Sequence, residues 1–283
     1  ARLSTFLLAV YAGGVVSFGF DLDCAPSLIL FALTFMAVLW LLPKIEHLNL
    51  CVAEPPKTYS PYFVFSVLSS LYLVVLACCG SLVSADSAAM WQQIHESRFD
   101  DWMPVIHTWI IWSAFRILGN ETIIIAAQCL LCAGAVAYLY ASLCRCGYRK
   151  WIVLFVVAIV GLNPSLIHYC RILAKDTLYA IIWIVLIAQL ISVIRTHGEW
   201  LRRWRNLISL VMILFLATVV RHNGLSLMLL LLPALLFICC ARQDLHRALM
   251  VVVLTVTMIC GYVGLKGLLK ERGIIISGRT GQT

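Results

Sequence analysis

Apolar runs long enough to cross a lipid bilayer recur along the whole chain of 283 residues. A transmembrane helix needs about 20 mainly apolar residues, and nine such segments can be placed. They cover approximately residues 5–20, 25–43, 62–84, 122–143, 151–169, 177–194, 206–220, 225–241 and 247–269. A soluble domain carries about a quarter charged residues, whereas this chain has 12%. The sequence therefore predicts an all-α polytopic membrane protein, and the short alternating segments of a membrane β-barrel do not occur.

Lysine and arginine are concentrated in one of the two alternating sets of loops. The richer set contains Lys44, Lys57, the stretches 145–150 and 195–205, Arg242 and Arg247. Positively charged loops stay in the cytoplasm, so we expect a plasma-membrane protein with a cytoplasmic N-terminus. The net charge of +8 then reflects orientation and contact with anionic lipid head groups rather than nucleic acid. Lys266, Lys270 and Arg272 would lie outside and disagree with this orientation.

The longest interruption of the apolar pattern is the stretch 84–120, which the loop charges place outside the cytoplasm. It gathers titratable side chains, namely Asp86, His95, Glu96, Arg98, Asp100, Asp101 and His107. Helical spacing predicts one helix over 86–99 and a second, apolar one over 104–118. We expect both to lie in the membrane interface, because about 15 residues are few for a span. The alternative, in which 104–118 crosses the bilayer, would invert everything downstream and move the basic 195–205 stretch outside.

The fifth apolar segment contains Asn163 and Pro164 near its outer end. Proline interrupts a helix and leaves backbone groups without partners, which a membrane protein tolerates only where protein or water satisfies them. We therefore expect a helix break with a polar cavity beside it.

Four polar groups lie on the same predicted side of the membrane. They are Asp86 with the other acids of its loop, His107 with Thr108, Lys175 with Asp176, and Arg221 to Gly224. Each has a simpler explanation. Asp86 and Asp176 could cap helices, Asp100 and Asp101 could be solvated, His107 could be a bystander in the interface, and Lys175 and Arg221 could extend to lipid phosphates.

Taken together, a carboxylate and two cations at neighbouring helix ends suit the transfer of a sugar from a lipid phosphate. The carboxylate would act as general base on an acceptor hydroxyl, and the cations would neutralise the departing phosphate. A Walker loop, a Rossmann fingerprint and an HExxH motif are all missing from the sequence, so nothing supports a nucleotide-driven or zinc-peptidase reaction. Most of the twelve cysteines lie in apolar segments, where they act as small hydrophobes.

At these residues the sequence resembles the GT-C class of integral-membrane glycosyltransferases, over roughly 80–240. It is similar to the bacterial subgroup related to dolichyl-phosphate-mannose mannosyltransferases, including the DUF6020 family. The resemblance rests on SADS around Asp86, a D-x-x-P-x-x-H-T stretch from Asp101 to Thr108, Gln128 in AAQCL, NPSLIHYCRILAKDTLY and RHNG. The chain departs from relatives at Met103, where they often have His, and residues 1–283 contain no counterpart of the soluble C-terminal domain that is common in relatives.

The resemblance implies a polyprenyl-phosphate sugar donor used outside the cytoplasm, a glycan, lipid or protein acceptor, and no nucleotide donor. It also implies a catalytic acid in the first large outer loop, where Asp86 is the match. We expect Asp86, Asp101 and His107 to be catalytic, Lys175 and Arg221 to bind the donor phosphate, and Asp100, Asp176 and Asn223 to line the pocket. A divalent cation held by Asp100 or Asp101 remains open.

Residues 1–283 are then one transmembrane glycosyltransferase domain. Because the chain starts with Ala1 and ends in a polar stretch, we expect it to be part of a longer protein. Two other functions remain open from the sequence. A transporter or lipid flippase would carry ionisable residues at mid-membrane helix breaks, and in a membrane scaffold the loop residues would be replaceable.

Overall fold

The computed structural model describes residues 59–97, 99–100, 105–196, 198–221, 245–271 and 275–276. The chain divides into two compact units, of which the first comprises 1–56 with 147–149 and the second comprises 57–146 with 150–283. Everything described below belongs to the second unit. The predicted segments at 5–20, 25–43 and 225–241 lie outside the described residues.

The described residues form nine α-helices, one short 3-10 helix and two strands of two residues each. In chain order these are α1 (Pro61–Cys79), α2 (Ala85–Glu96), β1 (Phe99–Asp100), α3 (Val105–Leu118), α4 (Glu121–Arg145), α5 (Lys150–Gly161), α6 (Pro164–Cys170), α7 (Lys175–Arg195), the 3-10 helix Glu199–Arg202, α8 (Trp204–Val220), α9 (Leu245–Glu271) and β2 (Ile275–Ile276). The described part of the chain is therefore mostly helical, as predicted.

Four described helices are long and apolar enough to cross a membrane, namely α1, α4, α7 and residues Leu249–Leu268 of α9. A fifth span results if α5 and α6 are counted together, because they are bent by 48° at a short break. Helix α8 is apolar but shorter, and α1 ends at Cys79 rather than near 84. It ends there because Gly80 adopts a positive φ of 70° and donates its N–H to the Leu76 carbonyl.

Helix α4 is the centre of the described bundle and packs between α1 and α7. Its buried face carries small side chains such as Ala133 and Ala137, which let neighbouring helices approach closely. The end of α5 packs equally tightly, since a Cβ atom on Gly161 would lie 3.2 Å from side-chain atoms of Leu68 and Val136. Helix α8 packs against α7, α9 against α8, and α3 against α4.

The predicted break at Asn163 and Pro164 is present. The Asn163 side chain accepts the Ser165 N–H at 2.9 Å and caps α6. On the other side of the break, the buried Tyr72 hydroxyl donates to the Gly161 carbonyl at 2.8 Å. The side chains of Asn163 and Tyr72 therefore provide hydrogen-bond partners for backbone groups near the break.

Both helices predicted for the 84–120 stretch are present as α2 and α3. Helix α2 starts at a capping box, in which the Ser84 and Ser87 side chains each accept the other's backbone N–H. It ends earlier than predicted because Ser97 adopts a left-handed conformation with a φ of 53°. The chain then forms strand β1, which pairs in parallel with β2 in the register Phe99 to Ile275.

The C-terminus of α1 and the N-terminal third of α4 lie at the same end of the bundle. Arg171 links to the carbonyls of Cys79 and Gly80, and Gln128 of α4 links to the carbonyls on either side of Arg171. Helix α3 therefore does not carry the chain from one end of the bundle to the other. Its position in the membrane interface remains a prediction.

Candidate functional site

An ion pair joins the long loop to the start of α7. The Lys175 Nζ atom lies 2.9 Å from Asp86 Oδ2, and the two side chains are 19% and 40% exposed. Asp86 stands in the first turn of α2 and Lys175 in the first turn of α7. A contact between residues 89 positions apart brings together two of the predicted site residues.

A second ion pair involves the next residue of α7, Asp176. Arg221 directly follows the end of α8. Its Nε atom lies 3.5 Å from Asp176 Oδ1. The Arg221 guanidinium also lies over the Tyr179 ring, 5.4 Å from its centroid. Because Asp176 follows Lys175 in sequence, both pairs are held by the first turn of α7. The four residues Asp86, Lys175, Asp176 and Arg221 are called the charged row.

The chain leading into Lys175 is held by α4, by the segment after α1 and by the first turn of α7. Gln128 Nε2 donates to the carbonyls of Cys170 and Ile172 at 3.1 and 2.9 Å. Ile172 also forms a parallel bridge with Leu82, and the Thr177 hydroxyl donates to the Tyr169 carbonyl at 2.9 Å. These hydrogen bonds fix the backbone before Lys175. The backbone position of Lys175 therefore does not depend on its ion pair with Asp86.

Arg171 has a structural contact rather than a place in the charged row. Its Nε and Nη2 atoms donate to the carbonyls of Gly80 and Cys79 at 2.8 and 2.7 Å. These are carbonyls at the C-terminal end of α1, which lack helical partners and favour a positive charge nearby. Arg171 therefore ties the end of α1 to the segment that leads into α7.

His107 is buried in α3, with 2% of its surface exposed. Burial, and secondly the charge of Lys175, lower the pKa of His107 from 6.5 to about 4. The imidazole is therefore neutral at pH 7. Because the charge of Lys175 acts on this pKa, His107 lies at the same end of the bundle as Lys175.

Aromatic side chains of α2 and α3 pack against each other. The Phe115 ring meets Trp91 at 5.2 Å and His95 at 5.7 Å, both edge to face. In the described part of the chain, the buried Thr108 hydroxyl and the Trp91 and Trp112 ring N–H groups have no hydrogen-bond partner. The seam is thus mainly apolar, and packing rather than polar bonding joins the two helices.

The alternative in which acids cap the helices is wrong for α2 and α7. Ser84 caps α2, and Asp86 lies two residues further on. Helix α7 has Ala174 at its cap position, with no side-chain cap hydrogen bond. Asp86 and Asp176 both occupy first turns, where a negative charge is favoured by the helix dipole, and both contact cations instead of serving as caps.

The remaining predicted site residues are described less fully. Asp101 and Asn223 lie outside the described residues, and Asp100 is described only as backbone of β1. Among the residues that are described, His, Cys, Asp and Glu form no group of three or more able to hold a metal ion. The divalent cation considered at Asp100 or Asp101 therefore remains untested.

Sequence reasoning overlooked Tyr179 and the anchoring contacts of Gln128 and Arg171. A signal for Tyr179 was present, because it follows Asp176 by three positions and Lys175 by four, so the three share a helix face. The contacts of Gln128 and Arg171 join residues more than 40 positions apart and leave no local pattern.

Comparisons of this chain with models of known protein families, with curated proteins and with solved structures give no match.

Proposed function

We propose that this protein is a membrane glycosyltransferase that moves a sugar from a polyprenyl-phosphate donor to an extracytoplasmic acceptor. The observation that supports the proposal is the Asp86–Lys175 pair at 2.9 Å, with Asp176 and Arg221 beside it. A potential base and two potential phosphate ligands meet at one end of a bundle of apolar helices. Partial exposure of all four side chains leaves them accessible to a substrate at the membrane surface.

In the proposed reaction the donor phosphate takes the place of the carboxylates on Lys175 and Arg221. Asp86, released from Lys175, accepts the proton of the acceptor hydroxyl. The acceptor oxygen forms a bond to the anomeric carbon of the sugar, and the bond from that carbon to the phosphate oxygen breaks. Polyprenyl phosphate leaves with the electron pair, and the two cations stabilise its added negative charge.

The ion pairs suit this sequence of events because their loss on donor binding is inexpensive. Pairs between partly exposed side chains contribute only about 0–1 kcal/mol, whereas a phosphate offers several acceptor oxygens to lysine and arginine. Without a donor, each carboxylate keeps its cation in place. His107, neutral and buried near Lys175, would add no second positive charge to the site.

A transporter or lipid flippase is the second candidate, and the bend between α5 and α6 favours it. Broken helices mark substrate sites in many transporters. However, the Asp, Glu, Lys and Arg residues of the described spans stand within about two turns of the helix ends, and not at mid-membrane depth, where transport pathways place them. The charges therefore favour chemistry at one membrane surface.

The test uses the full chain in liposomes with a panel of polyprenyl-phosphate hexoses and acceptor extract from cells that lack the protein. We expect Asp86→Asn to lower sugar transfer by at least about 100-fold, the usual effect of losing a general base. Glu96→Gln is the matched control, since Glu96 is an exposed acid of the same helix that accepts a hydrogen bond from Gln92. It should keep the wild-type rate.

Membrane insertion and thermal midpoint are measured for both variants, so that transfer is compared per folded molecule. Transfer that survives in Asp86→Asn would remove Asp86 from the mechanism. A wild-type protein that transfers no sugar but moves a fluorescent phospholipid between leaflets would instead support the flippase.

A further inference from the structure

An apolar groove of about 640 Å³ runs along the flank of the bundle between α1, α4 and α7. Its volume falls within the range of about 300–1,000 Å³ that is usual for small-molecule sites. The described lining includes Phe65 of α1, Leu131, Gly134 and Tyr138 of α4, and Ile181 and Val185 of α7. Gly134 provides the depth, since a Cβ atom there would meet a described neighbour only at 3.9 Å, on Phe65.

The groove is aligned with an arginine at the C-terminal end of α4. Its lining residues Leu131, Gly134 and Tyr138 recur at intervals of three and four and so lie on one face of the helix. Seven residues beyond Tyr138, on the same face, is Arg145. The Arg145 guanidinium lies over the Tyr138 ring, 5.8 Å from its centroid, and its exposed side chain stands at the end of the groove.

A second arginine reaches the same place from α7. The Arg195 Nε atom donates to the Cys146 carbonyl at 3.1 Å, and its side chain is exposed. The C-terminal ends of α4 and α7 are thereby joined, with one guanidinium on each. Arg145 uses its Nε and Nη2 atoms on Ala141 and Ser142, and a guanidinium has five N–H donors in all.

We propose that this groove and its two arginines form a binding site for an anionic phospholipid. The phosphate lies against Arg145 and Arg195, which can each hold a phosphate with two parallel hydrogen bonds. One acyl chain follows the apolar face of α4 from Tyr138 towards Gly134. The site stands at the opposite end of α7 from the charged row and does not depend on the proposed sugar transfer.

A phospholipid fits because the two arginines stand at the end of the apolar groove. A free phosphate would use the arginines but leave the groove unexplained, and a neutral lipid would use the groove but leave the arginines unexplained. The one acid described near this end, Glu199, is paired with Arg202 at 3.3 Å. Charge complementarity therefore selects an anionic head group.

The test measures the thermal midpoint of the full chain in detergent after addition of dioleoyl-phosphatidylglycerol, dioleoyl-phosphatidylcholine or inorganic phosphate. We expect phosphatidylglycerol to raise the midpoint by several degrees more than phosphatidylcholine, and inorganic phosphate to have no comparable effect. In the double variant Arg145→Gln, Arg195→Gln the difference between the two lipids should disappear. Arg202→Gln, which removes a positive charge from the same end of α7, should preserve it.

A second variant tests the groove itself. Gly134→Leu leaves both arginines in place and fills the space for the acyl chain, so native mass spectrometry should show loss of the retained phosphatidylglycerol. Equal stabilisation by both lipids, an unchanged lipid difference in the double arginine variant, or full retention of phosphatidylglycerol by Gly134→Leu would each overturn the proposal. Reproduction of the effect by inorganic phosphate would show an anion site only.

Discussion

The two ends of α7 carry positive charge in different ways. Helix α7 has 21 residues, so its ends are about 30 Å apart. At the N-terminal end Lys175 meets the carboxylate of Asp86, from another helix, at 2.9 Å. At the C-terminal end Arg195 donates to the carbonyl of Cys146, next to Arg145.

The difference lies in what each cation contacts, which is a carboxylate at the N-terminal end and a backbone carbonyl at the C-terminal end. Carboxylates brought beside cations by tertiary structure can exchange their partners for a substrate. Arginines bonded to carbonyls at helix C-termini keep their positive charge and suit the anionic face of a bilayer. Substitutions at the N-terminal end of α7 should therefore have larger effects than a substitution at its C-terminal end.

The buried His107 should make the N-terminal end sensitive to acid. Its lowered pKa means that the unfolded chain binds a proton below pH 6.5 while the folded protein does not until about pH 4. Stability is fully present above pH 6.5 and should fall by up to about 3 kcal/mol as the pH drops to 4. Thermal unfolding of wild type and His107→Gln at pH 7.5 and 4.5 measures the difference.

His95→Gln is the control for the replacement of a histidine in the same loop, because the His95 side chain is exposed. If His107→Gln and the wild type lose equal stability over this pH range, His107 is not a buried neutral group.

Removal of the cation at the N-terminal end should weaken donor binding. Loss of a charged hydrogen bond costs about 1.5–3 kcal/mol, so Lys175→Gln should raise the KM for the polyprenyl-phosphate sugar about 10- to 100-fold. Lys150→Gln changes a lysine at the start of α5, whose Nζ lies 4.8 Å from the centroid of the Tyr59 ring, and should leave KM unchanged. If Lys175→Gln and Lys150→Gln have the same KM for the donor, Lys175 does not bind the donor phosphate.

Arg171 should matter for stability through its bonds to backbone carbonyls. Arg171→Gln removes the donors to Gly80 and Cys79 and should lower the free energy of unfolding by about 1–2 kcal/mol. Urea or thermal unfolding in detergent measures the change. A loss of less than 0.3 kcal/mol, an order-of-magnitude threshold set by the weakest surface pairs, would show that the contact is incidental.

The smallest effect is expected for Arg202 at the other end. Its partner Glu199 is three residues away, and both side chains are more than half exposed. Pairs of this kind contribute less than about 0.5 kcal/mol, so Arg202→Gln should unfold like the wild type. A loss as large as that of Arg171→Gln would show that the two ends do not differ in the way described.

Local sequence patterns were sufficient to locate the described helices, but not the contacts between them. The proline at 164 and the apolar spacing of 104–118 act within one or two turns, so they predict a break and a helix. The start of α2 was assigned to Asp86, whereas Ser84 is the cap. The early end of α2 at Ser97 was missed because a left-handed serine has no strong sequence signal.

The candidate site was predicted in part, because helix ends on one side of a membrane tend to meet. This reasoning gathered Asp86, Lys175, Asp176 and Arg221 but did not specify which carboxylate pairs with which cation. That choice depends on how α2, α7 and α8 pack. The contacts of Gln128 and Arg171 also depend on helix packing, because their partners are backbone carbonyls far away in the sequence. The sequence alone therefore did not predict them.

The most direct test of the central claim exchanges the charges of the first ion pair. Asp86→Lys alone and Lys175→Asp alone each place like charges together and should lower the thermal midpoint, whereas the double variant restores an opposite pair and should recover it. We predict that sugar transfer by the double variant stays at least about 100-fold below wild type, because the base no longer stands on α2. Recovery of transfer together with stability would contradict the account and reduce Asp86 to a structural partner of Lys175.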